Sequence, residues 1–282
     1  MSAQRESQVA AAQRESQVAA AQRESQVAGA SREGELSLGA GAPAGALRAG
    51  EGTPAPTVPL RRAVGALLRK ELLVELRTLE SVPGMSLFAL STFVVFHFAL
   101  NRNSVEGDLA TGVLWVTLLF ASLLGVNRLF VADAEEGGVD GFLLAPVDRS
   151  AMLIAKELTL LCYLVVLELV AVPAFALLLS VPMAHALPDL LLVLALADVG
   201  VAVVGTLVAA LAVQTRARDL LGPLLGLPLL VPIVIGAARA TSPLLVAGHA
   251  GTPAARWLAM LALYDLIFGL IAYAVFDFLL ED

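Results

Sequence analysis

The sequence predicts an all-α membrane protein with six transmembrane helices, and two observations lead to that fold class. Hydrophobic residues make up 58% of the 282 positions and charged residues 15%, whereas soluble domains are about 45–50% apolar and about 25% charged. The apolar residues also form six runs that are each long enough to cross a hydrocarbon core about 30 Å thick. The runs lie near residues 82–100, 109–128, 157–181, 187–213, 220–239 and 255–280.

Residues 1–59 differ from the rest of the chain in composition. The unit AQRESQVAA occupies residues 3–11 and 12–20, AQRESQVAG follows at 21–29, and Gly, Ala and Pro then dominate. A nine-residue period matches neither a coiled-coil heptad nor a solenoid repeat. We predict that residues 1–59 form a disordered, low-complexity tail, with a partner-binding arm as the other reading.

Residues 60–80 predict an amphipathic helix. Apolar residues recur there at helical spacing, namely Leu60, Val64, Leu67, Leu68, Leu72, Leu76 and Leu79. The segment is also basic, so it suits the membrane interface, with arginines toward anionic head groups. Glu71 and Glu75 would pair with nearby bases along the helix. We predict an N-terminal interfacial elbow helix ahead of a permease domain at residues 81–282; the other reading is a polar flank of the first span.

The basic residues predict the orientation of the six spans. Ten lie on one side of the membrane, namely Arg61, Arg62, Arg69, Lys70, Arg77, Arg128, Arg149, Lys156, Arg216 and Arg218. The three on the other side are Arg102, Arg239 and Arg256. Because cytoplasmic loops carry the excess of Lys and Arg, both termini are expected in the cytoplasm.

An acid-rich segment at residues 127–156 separates the second apolar run from the third. Asp133, Glu136 and Asp140 are spaced 3 and 4 apart, so a helix would place all three carboxylates on one face. We predict a short cytoplasmic helix that ends before Pro146 and offers a docking surface to another protein.

Acidic residues also lie within the predicted spans, among them Glu168, Asp198, Asp265 and Asp277. A charge near the bilayer centre costs about 2.5–3.5 kcal/mol or more, and no Lys or Arg lies at the depth of Glu168 or Asp198. These two are therefore either protonated structural carboxyls or part of a proton or substrate path.

The fifth span carries Pro223, Pro228 and Pro232. Each proline removes a backbone donor and bends a helix. The span is therefore either a kinked structural helix or a broken helix that lines a path.

The sequence lacks the motifs of several kinds of catalytic and binding site. The only lysines, Lys70 and Lys156, lie outside any GxxxxGK[ST] phosphate-binding loop. No metal-binding motif occurs, and the chain has a single cysteine, Cys162. The net charge of −7 argues against nucleic acid as a partner. We expect a non-catalytic, metal-free permease subunit of an ABC transporter, with ATP hydrolysed by a partner chain that docks on the acidic segment.

The histidines are scattered along the chain. They are His97, His185 and His249, and the predicted topology places all of them toward the outer face. That face would suit haem or metal ligation, but scattered histidines are more often bystanders.

Five stretches carry a family resemblance. In order, they are RKELLVELRTLE at 69–80, GVLWVTLLFASLL at 112–124, NRLFVADAEEGGVDGFLLAP at 127–146, Ala155-Lys156, and LPLLVPIVI at 227–235. They resemble the elbow, second span, cytoplasmic loop, loop end and fifth span of the haem exporter protein B (CcmB) family. Glu168 and Asp198 depart from the pattern, which has uncharged residues there.

The resemblance implies a function and a set of partners. The chain would be a permease of the bacterial inner membrane, present as a homodimer and bound to an ABC ATPase and to haem-handling membrane subunits. ATP hydrolysis would serve haem delivery or release of a haem-loaded chaperone in cytochrome c maturation. Haem would be handled mainly by a partner, so no cofactor is expected on this chain.

The resemblance also implies roles for individual residues. The coupling helix facing the ATPase would comprise Asp133, Glu135, Glu136, Gly137, Gly138, Asp140 and Pro146. The elbow would be anchored by Arg69, Lys70, Glu71, Glu75 and Arg77. A path through the membrane comes from the residues alone and not from the resemblance, and it would involve Glu168, Asp198, Pro228 and Pro232.

Three other functions fit the residues. One is an ABC-2-type exporter permease for lipid or drug, and another is an ATP-independent, proton-coupled carrier that uses Glu168 and Asp198. The last is a passive assembly scaffold.

Overall fold

The described part of the chain is helical throughout and contains no β-strand. A computed structural model describes residues 59–100, 104–129, 150–181, 183, 185–213, 218–246 and 251–279. The chain divides into two units, residues 1–55 and 56–282, and all described residues belong to the second. Its α-helices are α1 Leu60–Thr78, α2 Ser81–Leu100, α3 Gly107–Arg128, α4 Ser150–Leu178, α5 Leu187–Val213, α6 Arg218–Thr241 and α7 Ala255–Leu279, with a 3₁₀-helix at Ser242–Leu245 after α6.

Six of the described helices, α2 to α7, are long and apolar enough to cross a membrane. This confirms the predicted all-α fold with six spans. The third span begins at Ser150 rather than near residue 157, because the sequence SAMLIAK continues the helix toward its N-terminus. A helix also occupies the elbow segment; its position in the membrane interface and the cytoplasmic termini stay predictions.

The spans differ in how much of their surface the bundle covers. The apolar windows of α3 and α5 are each 72% buried, whereas those of α2 and α7 are only 17% and 11% buried. Helices α3 and α5 therefore lie at the centre, and α6 packs against both. Because lipid tails are as apolar as leucine, the exposed faces of α2 and α7 need no protein cover.

Polar contacts join the helix ends on the side of the bundle away from α1. The Trp115 indole N–H of α3 donates to the Thr241 hydroxyl at the end of α6, at 3.2 Å. The Ser242 hydroxyl donates to an Asp108 carboxylate oxygen at 2.6 Å, and the Val105 N–H donates to the Leu179 carbonyl at 3.2 Å. These bonds fix α3, α4 and α6 relative to one another at that end.

Candidate functional site

Glu75 lies at the junction of α1 and α2 and is buried. Helix α1 ends in a left-handed residue, Leu79, whose N–H donates to the Glu75 carbonyl at 2.7 Å. The chain then turns back, and the Glu75 carboxylate accepts the N–H groups of Ser81 and Val82 at 2.9 and 2.8 Å. The Tyr163 hydroxyl of α4 also lies within hydrogen-bonding reach. A carboxylate is favourable at a helix N-terminus because it satisfies free N–H groups and the helix dipole.

One helical turn before Glu75, Glu71 reaches a buried lysine of α4. The Lys156 side chain is only 4% exposed, and its Nζ lies 3.1 Å from Glu71 Oε1. The same ammonium donates to the Leu129 carbonyl at the end of α3, at 2.9 Å. Lys70, which is exposed, lies 3.4 Å from the same Glu71 oxygen. Lys156 therefore links three elements: the elbow helix α1, the last described residue before 130–149, and α4.

A second ion pair lies near this junction but faces solvent. Arg128 at the end of α3 donates to Glu80 Oε2 at 2.8 Å, and the two side chains are 54% and 65% exposed. Exposed ion pairs contribute about 0–1 kcal/mol. Arg128 thus joins the α1–α2 turn to α3 on the exposed side. Lys156 joins α1 to α4 on the buried side.

A separate crevice lies within the bundle, between α3, α4, α5 and α6. It contains about 350 Å³ of empty space, counting its open mouth, and is lined by Trp115, Leu118, Leu119, Ser122, Leu164, Leu167, Glu168, Ala197, Asp198, Val201, Ile233 and Val234. The Glu168 and Asp198 carboxyls lie within hydrogen-bonding reach of each other. A hydrogen bond between two carboxyls requires a proton on one of them, because an ionised carboxylate only accepts.

The prolines of the fifth span lie outside the lining of this crevice. Helix α6 continues through Pro228 and Pro232, of which Pro228 is exposed and Pro232 is half-buried. The missing N–H of Pro232 leaves the Pro228 carbonyl without its helical donor. The next carbonyl, that of Leu229, accepts the Tyr264 hydroxyl of α7 at 2.6 Å. Of the four residues predicted to form a path, the structure brings Glu168 and Asp198 together and leaves both prolines apart from them.

Asp265 of α7 is a further acid inside a span. Its Oδ1 is buried and has no hydrogen-bond partner among the described residues. The same atom lies against Gly200 of α5, where a β-carbon would collide with it. The close approach of α5 and α7 at this point therefore depends on the glycine.

The predicted site residues fall into two groups. The proposed coupling helix, comprising Asp133, Glu135, Glu136, Gly137, Gly138, Asp140 and Pro146, lies outside the described residues and stays a prediction. In the elbow, Arg69, Lys70 and Arg77 are exposed, Glu71 is half-buried and Glu75 is buried. The three bases thus lie on the exposed side of the helix, whereas the two acids face α4.

The role of Lys156 was missed at the sequence level, although the sequence contained a signal for it. Glu71 and Glu75 are one turn apart and were expected to pair with bases of their own helix. Instead, the closest contact of Glu71 is with Lys156, at 3.1 Å against 3.4 Å for Lys70. A lysine at the start of an apolar run needs an acidic or carbonyl partner once it is buried.

The histidines give no support to a metal site. The ring of His97, at the end of α2, bonds the Leu178 carbonyl through Nδ1. His185 lies in the turn before α5, and His249 is outside the described residues. Within the described ranges, no group of three or more His, Cys, Asp or Glu side chains could hold a metal ion.

Comparison with known proteins places the chain in a family. The family model described as CcmB protein matches residues 62–278. The chain belongs to the CcmB family. The match begins inside α1 and ends inside α7, so a CcmB protein includes both the elbow helix and all six spans.

Curated relatives named heme exporter protein B also match this chain. Heme exporter protein B of Rhodobacter capsulatus is 33% identical over 175 residues, which cover 62% of this chain and 80% of the relative. The protein of the same name from Pseudomonas aeruginosa is 32% identical, covering 70% and 86%. That of Bradyrhizobium diazoefficiens is 30% identical, covering 75% and 96%.

Proposed function

We propose that this chain is the membrane permease subunit of a haem-exporting ABC transporter that is required for cytochrome c maturation. The observation that carries the proposal is the CcmB family match over residues 62–278, together with relatives named heme exporter protein B. The chain lies in the bacterial cytoplasmic membrane and works as a homodimer beside haem-handling membrane subunits. A separate ATPase subunit provides the energy and docks on residues 133–146.

The absence of any phosphate-binding loop in the printed sequence supports this division of labour. A permease that has no nucleotide site and is driven by ATP receives its free energy from another chain. In the proposed function, ATP hydrolysis by that chain moves the spans and serves haem delivery or release of the haem-loaded chaperone. This chain contributes no reacting group, and haem is handled mainly by a partner chain.

Complementation tests the proposal. A bacterium that lacks its own heme exporter protein B receives the full chain, and holocytochrome c is measured by haem staining. The proposal expects maturation to return, and mild-detergent purification to recover an ABC ATPase with the chain. Recovery of the ATPase without maturation would instead indicate an exporter of lipid or drug, and maturation that survives inactivation of the ATPase would indicate a passive scaffold.

A proton-coupled carrier is the second candidate, and the crevice that brings Glu168 and Asp198 together favours it. Carboxyls that exchange a proton inside a membrane are typical of such carriers. The double substitution Glu168→Gln and Asp198→Asn keeps shape and hydrogen bonding but removes both acids. A carrier would lose all activity, whereas the ABC permease keeps most of its cytochrome c maturation.

A further inference from the structure

The buried contact between α1, α3 and α4 joins the elbow helix to two helices at once. Lys156 Nζ reaches a carboxylate oxygen of Glu71 at 3.1 Å and the Leu129 carbonyl at 2.9 Å. Leu129 directly precedes residues 130–149, and α4 begins directly after them. A single ammonium group thus joins both ends of that segment to the elbow helix.

The two side chains of this ion pair are largely shielded from water. The Lys156 side chain is 4% exposed and that of Glu71 is 15% exposed, so water cannot readily replace either partner. Removing one partner of a buried ion pair leaves an unpaired charge and is costly, whereas removing both partners is often nearly neutral. The exposed Arg128–Glu80 pair nearby lacks this property, because solvent screens it.

A second contact, through Glu75, joins α1 to α4 and also to the start of α2. Glu75, one turn after Glu71, lies within hydrogen-bonding reach of Tyr163, two turns after Lys156. Glu75 also binds the first N–H groups of α2. A displacement of α4 or of the end of α3 is therefore passed through Glu71 to α1, and through Glu75 to the start of α2.

We propose that Lys156 is a positioning residue: through Glu71 and the Leu129 carbonyl it fixes the elbow helix α1 to the end of α3 and to α4, so that these three elements move as one body. We name these three groups the latch. The inference rests on the proposed function, because it assigns the latch the task of passing motion from a docked ATPase to α1 and α2. Lys156 itself touches no substrate.

The test uses the whole complex purified with its ATPase. Lys156→Met removes the ammonium group, and Glu71→Gln removes its acidic partner while leaving the Leu129 contact possible. Arg62→Met is the matched control, since it removes an exposed positive charge from the same helix and leaves the latch intact. Hydrogen–deuterium exchange of residues 69–80 is measured beside ATP hydrolysis and cytochrome c maturation.

If the latch passes motion from the ATPase to α1 and α2, breaking it should uncouple ATP hydrolysis from cytochrome c maturation. In Lys156→Met and Glu71→Gln, exchange in the elbow rises on the order of tenfold and maturation falls on the order of tenfold, while the bound ATPase hydrolyses ATP within about twofold of the wild-type rate. Lys156→Arg restores maturation, because guanidinium can reach both acceptors. Arg62→Met behaves as wild type.

The double variant Glu71→Gln with Lys156→Met separates positioning from stability. It regains most of the thermal stability lost in Glu71→Gln, because the buried ammonium that lost its carboxylate is removed as well, yet it stays uncoupled. A double variant that regains both stability and maturation would overturn the latch, as would unchanged elbow exchange in Glu71→Gln. If Lys156→Met fails to assemble, Glu71→Gln alone decides.

The outcomes also distinguish the latch from the proposed function. A wild-type chain that neither binds an ATPase nor supports maturation would overturn the proposed function. In that case, unchanged exchange of residues 69–80 in Glu71→Gln would overturn the mechanical link as well, and raised exchange would support it.

Discussion

Single carboxylates decide how the elbow meets the bundle. Glu75 is 8% exposed, and a buried carboxylate is tolerated only where donors surround it. Two backbone N–H groups of α2 and the Tyr163 hydroxyl supply them. The residue therefore closes the turn between α1 and α2 and satisfies the first free donors of a membrane-spanning helix.

Replacing Glu75 tests this role at the residue scale. Glu75→Ala removes the acceptor and is expected to lower the free energy of unfolding by about 1–3 kcal/mol, the range for a helix cap with charge-assisted bonds. Glu75→Gln keeps an acceptor oxygen but loses the charge, so its loss should be roughly half as large. Thermal or denaturant unfolding in mild detergent measures both changes.

Glu80→Ala is the control for Glu75→Ala. It removes the same charge from the same turn, but Glu80 is 65% exposed and pairs only with the exposed Arg128 in the described contacts. We expect a change of less than about 1 kcal/mol. Equal losses at the two positions would show that Glu75 acts through net charge and not as a cap.

At the scale of the helices, glycines set how closely the spans approach. A β-carbon added at Gly205 of α5 would lie 2.6 Å from Val126 Cγ2 of α3 and 3.0 Å from Leu160 Cδ2 of α4. Small residues let backbones pack closely in membranes, where no hydrophobic effect drives helices together. Gly205 therefore marks the point where α5 packs most tightly against α3 and α4 together.

Substitution of glycine by alanine tests the packing. Gly205→Ala should lower the free energy of unfolding by about 1–3 kcal/mol, because the branched Val126 side chain has little freedom to move away. Gly125→Ala should cost less, since the added carbon meets the flexible end of Met85, with Sδ at 2.8 Å. Unfolding in detergent again provides the measurement.

The matched control for these two substitutions is Gly112→Ala in α3, where no heavy atom lies within 4 Å of the added carbon. It should change stability by no more than about 0.5 kcal/mol or increase it slightly, because alanine favours a helix. A loss as large as that at Gly205 would mean that helix packing does not explain the glycines.

For the molecule as a whole, the sequence predicts the six spans but not which side chains of different helices pair with each other. Length and hydropathy are local properties, so six apolar runs sufficed to predict α2 to α7. The pairing of Glu71 with Lys156, and the meeting of Glu168 with Asp198, join residues on different helices. The sequence shows that each of these charges needs a partner, but the choice of partner depends on how the helices pack.

The boundary of the third span shows the same limit. The sequence predicts a third span that begins near residue 157, with Lys156 among the basic residues on the cytoplasmic side. In the structure the helix begins at Ser150 and Lys156 is buried within it. Once Glu71 and the Leu129 carbonyl are available, the lysine can lie inside the bundle.

In the proposed function, the ATPase docks on the acidic segment at residues 127–156, and this docking leads to the last prediction. In the chain with Glu136→Lys and Asp140→Lys, the docking face would carry opposite charge, so the ATPase should dissociate while the protein still inserts in the membrane. The control carries Glu33→Lys and Glu35→Lys, the same change of net charge placed in the predicted tail. Mild-detergent co-purification measures bound ATPase, and haem staining measures cytochrome c. We expect both to be lost in the first variant and kept in the second; a first variant that retains the complex and matures cytochrome c at the wild-type level would contradict docking at these carboxylates.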